Sequence, residues 1–242
     1  MPPLMQRAMK LIYPDQCILC TSLVDGPQKL CGACWAEMPF KRGHSCDLCG
    51  ADLLGESDGS LDHCDQCMVN PPPWSHGRAA LSYKESGRRF VLSLKHGDRT
   101  DLIPPACRWL AESGREFLSK ETVLTPVPLH WSRMLRRRYN QAAELAKGIA
   151  RHHTATCVPD ALIRARKTEP QDGKGVDERF QNVAGAIVAN KKRANLLYGR
   201  DVCIVDDVMT SGATLSASAQ ACHDMGARQI CILVLARVEH TP

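Results

Sequence analysis

The chain has 242 residues, of which 44% are hydrophobic and 24% charged, with a formal net charge of +5. These values lie near the globular norm and allow a sizeable core in one large domain, or in a medium domain with a small one attached. Aromatics make up only 5%, which argues against a nucleic-acid platform built from stacked aromatic rings; the mild positive charge suits phosphate-rich ligands without demanding DNA.

No run approaches the apolar length of a membrane span. From Met1 to Pro14, Leu4, Met5, Ala8, Met9, Leu11 and Ile12 are interrupted by Arg7 and Lys10. That is the pattern of an amphipathic helix and not of a signal peptide, so the protein is placed in the cytosol. There, thirteen cysteines point to metal ligands or buried thiols before disulfides.

Eight of those cysteines fall in four C-x-x-C pairs: Cys17 and Cys20, Cys31 and Cys34, Cys46 and Cys49, Cys64 and Cys67. Two intervening residues let both sulfurs of a knuckle reach one metal, and two knuckles complete a tetrahedral four-sulfur zinc site. Two structural zinc ions are expected. The sequential pairing of knuckles resembles a double zinc ribbon, and a cross-braced pairing stays open. His44 and His63 stand beside the cysteines as substitute ligands. Four thiolates leave no open coordination position, so the expected role is structural. Cys107, Cys157, Cys203, Cys222 and Cys231 sit in apolar surroundings and read as core thiols.

Asn70 to Pro73 reads as a stiff linker, dividing a metal module over residues 1–70 from an α/β domain over residues 71–242. Gly77 to Tyr83 is predicted as a strand, Gly87 to Lys95 as a helix, and Asp101 to Leu118 as a second helix with Pro104 and Pro105 in its first turn. Val123 to Pro128 is the first core strand. After it, residues 130–141 carry four arginines and no acid, a composition suited to a polyphosphate or nucleic-acid backbone, or to a solvated basic face. Asn140 and Gln141 open a helix to about His153. Val158 to Ala165 and Ala184 to Ala189 are predicted strands, separated by a polar, glycine-bearing stretch. Lys191, Lys192 and Arg193 form a solvated basic turn. The apolar run from Val202 that ends in Asp206 and Asp207 is predicted as a buried strand, Ala213 to Met225 as a helix, and Gln229 to Ala236 as the last strand. The alternation predicts a parallel, doubly wound sheet.

The most informative segment is Val202 to Thr214. An apolar strand ends in Asp206 and Asp207, followed by Val208, Met209, Thr210, Ser211, Gly212, Ala213 and Thr214. Small residues let backbone N–H groups close on a phosphate, and the following helix points its positive end there. The carboxylates lie at the strand's carboxyl end, where open α/β sheets bind ligands. They suit ribose hydroxyls or a magnesium ion. A polar turn with an N-cap is the plain alternative.

This segment resembles the phosphoribosyl-pyrophosphate (PRPP) loop of type I phosphoribosyltransferases, a hydrophobic strand then D-D-x-x-T-[ST]-G-x-T. The whole chain resembles the ComF/GntX family, which couples a zinc module to such a domain. Pro126 to Gln141 follows the family pattern P-V-P-L-x-x-x-R-x-x-x-R-G-[FY]-N-Q, with Arg138 in place of the glycine. Arg164, Thr168, Gln171, Arg179 and Asn182 follow a second pattern, with Lys174 in place of a leucine. The resemblance implies a PRPP site under a hood. In it Asp206 and Asp207 hold ribose, residues 208–214 line the ligand with Thr210 to Thr214 on the 5′-phosphate, and Arg133 and Arg137 face pyrophosphate. The loop bearing Gln171 and Arg179 closes over the ligand. Lys95, with Gly97 after it, is set against the family's L-K-x-x-G element as a ligand contact, or is a helix-end lysine favoured by the dipole. The implied activity is magnesium-dependent phosphoribosyl transfer to an unspecified acceptor. The alternative is handling of single-stranded DNA, with DNA-uptake proteins as partners and the PRPP site sensing or vestigial.

Overall fold

The computed structural model describes residues 13–27, 29–57, 59–96, 99–130, 139–169 and 175–239. The expected N-terminal helix therefore lies outside the described residues, apart from its last positions.

The cysteine-rich segment contains two short helices, α1 (Gly32–Glu37) and α2 (Asp65–Val69), each beginning beside a knuckle cysteine. Then follow β1 (His76–Ser82), α3 (Glu85–His96), a 3-10 turn at Thr100–Leu102, α4 (Ile103–Ser113), β2 (Val123–Pro126), α5 (Gln141–His153) and β3 (Thr156–Cys157). The remainder is β4 (Leu162–Arg164), α6 (Val176–Val183), β5 (Ile187–Ala189), a 3-10 turn at Lys191–Arg193, α7 (Ala194–Leu197), β6 (Asp201–Met209), α8 (Ala213–Asp224) and β7 (Gln229–Arg237).

Five strands form a parallel sheet in the order β1-β7-β6-β2-β3. The central strands are apolar almost throughout because both faces are covered. Alternate residues serve opposite sides. Cys203, Val205, Leu233 and Leu235 pack with Phe90, Leu94, Leu110, Leu145 and Ile149 of α3, α4 and α5. Val202, Ile204, Ile230, Ile232 and Val234 pack with Leu215, Ala219 and Cys222 of α8. This is the parallel, doubly wound α/β sheet that the alternation of elements predicts.

One consequence of this layering positions the site. β2 and β6 are neighbours, yet the helix after β2 lies on one face and the helix after β6 on the other. Two adjacent parallel strands that send their chains to opposite faces open a crevice at their carboxyl ends, the usual ligand position in open sheets.

The segment 158–165 departs from expectation. The residues that extend the main sheet are Thr156–Cys157, and Pro159 then breaks the run, since it has no N–H to donate to a ladder. Leu162–Arg164 forms a separate antiparallel pair with Ile187–Ala189. Leu162 and Arg164 are buried while Ile163 is exposed, the alternation of a one-sided hairpin. The strand expected from Ala184 is correspondingly shorter. The helix expected to reach Leu118 stops at Ser113, where Gly114 caps it.

The metal module is attached to the edge of the sheet. Phe40 makes an antiparallel bridge to Leu81, with Lys41 N donating to Ala80 O at 3.0 Å and Ser82 N to Pro39 O at 2.9 Å. Gly77 N donates to Asp47 O at 2.7 Å, and Arg78 pairs with Asp47 at 2.6 Å. A Cβ on Gly77 would collide with the carbonyl of Leu48, so the knuckle sits directly on the strand there. The module thereby covers β1, an edge strand whose unpaired groups would otherwise invite association.

Candidate functional site

The knuckles pair sequentially. Cys17, Cys20, Cys31 and Cys34 converge in one cluster, and Cys46, Cys49, Cys64 and Cys67 in another, the sulfurs of each within 4.8 Å of one another. A tetrahedral site with metal–sulfur bonds of about 2.3 Å has sulfur–sulfur edges of about 3.8 Å. Cys20 and Cys31 sulfurs lie 3.5 Å apart, and those of Cys49 and Cys64 3.6 Å. The donor set and spacing fit zinc at both sites. His44 is engaged elsewhere: its Nε2 lies 2.8 Å from Asp62 Oδ2. In the second cluster, hydrogen bonding from the Cys49 and Cys67 thiols lowers the Cys46 thiol below the usual range. Elsewhere burial pushes Cys107 and Cys157 up to about 11 and Cys222 to about 12, which makes them poor nucleophiles.

The second site is built at the crevice. β6 carries Asp206 and Asp207 to its mouth. Asp207 N donates to Asp206 Oδ1 at 2.8 Å. Lys95, on the last turn of α3, places its Nζ 3.2 Å from Asp207 Oδ1, with both side chains mostly covered. Burial first, and then the charge of Asp207, lift the Asp206 carboxyl to about 7; Lys95 and Arg164 pull the other way. Arg164 is buried on the hairpin, with Nη1 3.4 Å from Pro128 O. It thus supports the backbone entering the basic loop while its charge reaches Asp206.

After the carboxylates, Val208 and Met209 pack into the two core faces. The chain then turns at Gly212, in the left-handed region at φ 79°, and α8 begins with no side-chain cap. The helix N-terminus, with its positive dipole end, stands at the crevice, and Ala213 N reaches Ser211 Oγ at 3.5 Å. Residues 131–138, which include Arg133 and Arg137, lie outside the described residues, as do Gln171 and Gly97. Their flanks are positioned. Tyr139 Oη donates to Leu94 O at 3.2 Å, one residue from Lys95. Asn140 caps α5, accepting from Ala142 N at 3.1 Å and donating to Val127 O at 3.0 Å. Arg179 lies on α6, its Nε buried with no acceptor among the described residues. The base of the polar excursion is closed by Asn182, which bonds Glu169 through both side-chain atoms, and by Arg166 donating to Asn182 O and Ala184 O.

Two residues at the site were not evident from motifs. Arg237 ends β7 and is buried beside the loop, with Nη1 donating to Thr210 O at 2.9 Å. Trp74 is buried under Gly212 and donates from its indole to Leu48 O at 2.6 Å. A visible signal existed for Arg237: it is the single charge of a nine-residue strand that is apolar from Ile230 to Ala236.

A double zinc ribbon domain model matches residues 8–68. Competence protein F of Haemophilus influenzae is 27% identical over 235 residues, covering 95% of this chain and 100% of that protein. The similarity to that competence protein runs along nearly the whole chain. The DNA utilization protein YhgH of Escherichia coli K12 is 26% identical, with 85% of this chain and 97% of that protein covered. Among solved structures, an adenine phosphoribosyltransferase from Thermoanaerobacter pseudethanolicus is 17% identical, covering 61% of this chain and 72% of its own, with a TM-score of 0.39. Among the described residues no helix is long and apolar enough to cross a membrane.

Proposed function

We propose that the crevice binds PRPP and that the protein transfers its phosphoribosyl group to an acceptor. The observation that carries this reading is the conjunction of the Asp206–Asp207 pair, the Lys95 ammonium and the uncapped start of α8 at one switch point. The backbone of residues 210–214 takes the 5′-phosphate. Asp206 and Asp207 take the ribose hydroxyls and stabilise the positive charge that develops at the anomeric carbon as its bond to pyrophosphate breaks and the bond to the acceptor forms. Arg133 and Arg137 face the pyrophosphate, and Gln171, together with Arg179 on α6, helps exclude water. Magnesium, bound with the ligand, supplies neutralisation of the leaving pyrophosphate; the oxygen donors of Asp206 and Asp207 fit such an ion.

Asp206 is well matched to this role. It is partly protonated near neutral pH in the free protein. A cationic ligand centre favours its ionised form, so charge is held where it is needed.

The test is release of pyrophosphate from PRPP and magnesium against a panel of bases, amines and single-stranded oligonucleotides, with Asp206→Asn, Asp207→Asn as control. PRPP bound without release by any acceptor would exclude the transferase. A second reading, a factor that handles single-stranded DNA and senses PRPP, draws support from the names of the competence and DNA-utilization relatives. It predicts oligonucleotide affinity that falls steeply with salt and drops on Arg136 and Arg137 replacement.

A further inference from the structure

We propose that Arg237 and Trp74 form a two-strut link by which the second four-cysteine site holds the phosphate loop in its binding shape. Arg237 reaches both ends. Nη1 donates to Thr210 O at 2.9 Å and to Val238 O at 2.7 Å, and Nη2 points to Cys49 Sγ at 3.7 Å. The side chain is 3% exposed, so these contacts are made in a low-dielectric setting where they are strong and where their loss is costly. Trp74 spans the same two parts by a separate route. Its Nε1 donates to Leu48 O, inside the Cys46–Cys49 knuckle, at 2.6 Å. The far edge of its ring lies 3.5 Å from where a Cβ on Gly212 would stand.

The chemistry explains why an arginine stands at this strand end. Four thiolates around a divalent ion leave a net charge of −2, which a buried site must compensate. A guanidinium does so at Cys49 while its planar fork still serves a carbonyl in another direction. The carbonyl it holds, Thr210 O, opens the segment that leads to the α8 N-terminus at the crevice. Fixing that carbonyl sets the orientation of the peptide planes that follow. The knuckle itself is anchored to β1 by Asp47 through Gly77 N and Arg78, so it can serve as a fixed reference. The first cluster lies elsewhere: Arg99 donates to Ile18 O inside its knuckle at 2.9 Å, Cys20 is exposed, and its module packs with the core residues of α3 and α4.

The loop's shape is a property of the free protein, whereas the effect on ligand rests on the PRPP reading above. The experiment separates them. Arg237→Met, Arg237→Lys and Trp74→Phe are compared with the unaltered protein for zinc content, for amide exchange without ligand, and for PRPP affinity. The expected result for Arg237→Met is two zinc ions per chain, exchange at residues 210–214 faster by about tenfold, unchanged exchange at 203–205, and PRPP affinity down about tenfold. Arg237→Lys should restore part of the protection, and Trp74→Phe should loosen the loop without loss of zinc. In protein loaded with cobalt, PRPP should perturb the thiolate–metal absorption, and Arg237→Met should abolish that perturbation, since coupling between two sites is reciprocal. Unchanged loop exchange in a folded, metal-loaded variant would overturn the proposal, as would an equal rise at 203–205. If Arg237→Met fails to fold, Arg237→Lys and Trp74→Phe decide by the same criteria. If the unaltered protein binds no PRPP, the functional reading fails and the exchange result alone decides the link.

Discussion

Lys95 Nζ stands 3.2 Å from Asp207 Oδ1 and draws the carboxylate pair of β6 together with the end of α3. The pair would otherwise place two adjacent negative charges in a covered crevice, where mutual repulsion and desolvation both raise the proton affinity. The lysine is thus the local counter-charge of the free site. Replacing it with methionine removes that charge at similar length. The Asp206 carboxyl, at about 7 with the lysine present, should then titrate higher. The pH at which PRPP affinity reaches half its plateau should rise with it. A binding profile against pH for Lys95→Met checks this, and an unmoved midpoint contradicts it.

Asp206 also makes stability depend on pH. Its carboxyl is raised in the folded state from an ordinary value of 3.8 to about 7, so the folded protein binds this proton more tightly than the unfolded chain. The contribution is therefore present below about pH 4 and is lost as pH rises through 7. Asp206→Asn, which cannot ionise, should match the parent near pH 4 and exceed it at pH 8, with a ceiling of about 4 kcal/mol. Thermal melts at the two pH values measure the difference; an equal Tm offset at both contradicts the assignment.

The two metal sites should fail differently. Cys46, Cys49 and Cys67 are buried in the core beneath α8, whereas Cys20 is exposed and Cys31 and Cys34 are half-buried. Cys20→Ser should release about one zinc and leave the sheet intact. Cys46→Ser should release the other and lower Tm further, because the knuckle on Gly77 and Trp74 loses its frame. Zinc release assays with calorimetry distinguish the two; equal destabilisation would contradict the placement of the second site in the core.

Gly212 tests the phosphate loop itself. At φ 79° an added Cβ is strained, and it would approach Met209 Cε at 2.9 Å. Gly212→Ala should cost about 1–2 kcal/mol, retain both metals, and weaken PRPP binding by more than the stability loss alone implies. Titration of the folded variant reads this directly.

Much of this arrangement was legible in residue order. The C-x-x-C spacing announced two metal sites because two intervening residues leave little choice of ligand geometry. The apolar runs of β6 and β7 announced buried parallel strands. What was not legible depended on distant packing. Pro159 is compatible with an edge or a break, and only the pairing of Leu162–Arg164 with Ile187–Ala189 shows that the chain leaves the main sheet there. Lys95 and Asp207 are 112 positions apart, and their contact arises from α3 lying over the mouth of β6. Arg237 and Trp74 belong to no motif; their partners are a carbonyl and a sulfur that come together when the knuckle docks on β1. Contacts of that kind follow from the fold as a whole and leave no periodicity in the chain.

The most direct measurement is calorimetric titration of PRPP with magnesium into the intact, zinc-loaded protein and into Asp206→Asn, Asp207→Asn. The site described here predicts one PRPP per chain with micromolar Kd, on the order of 8 kcal/mol, and affinity at least about a hundredfold weaker in the double variant while both zinc ions stay bound. No binding by the unaltered protein, or equal binding by the two, would contradict it.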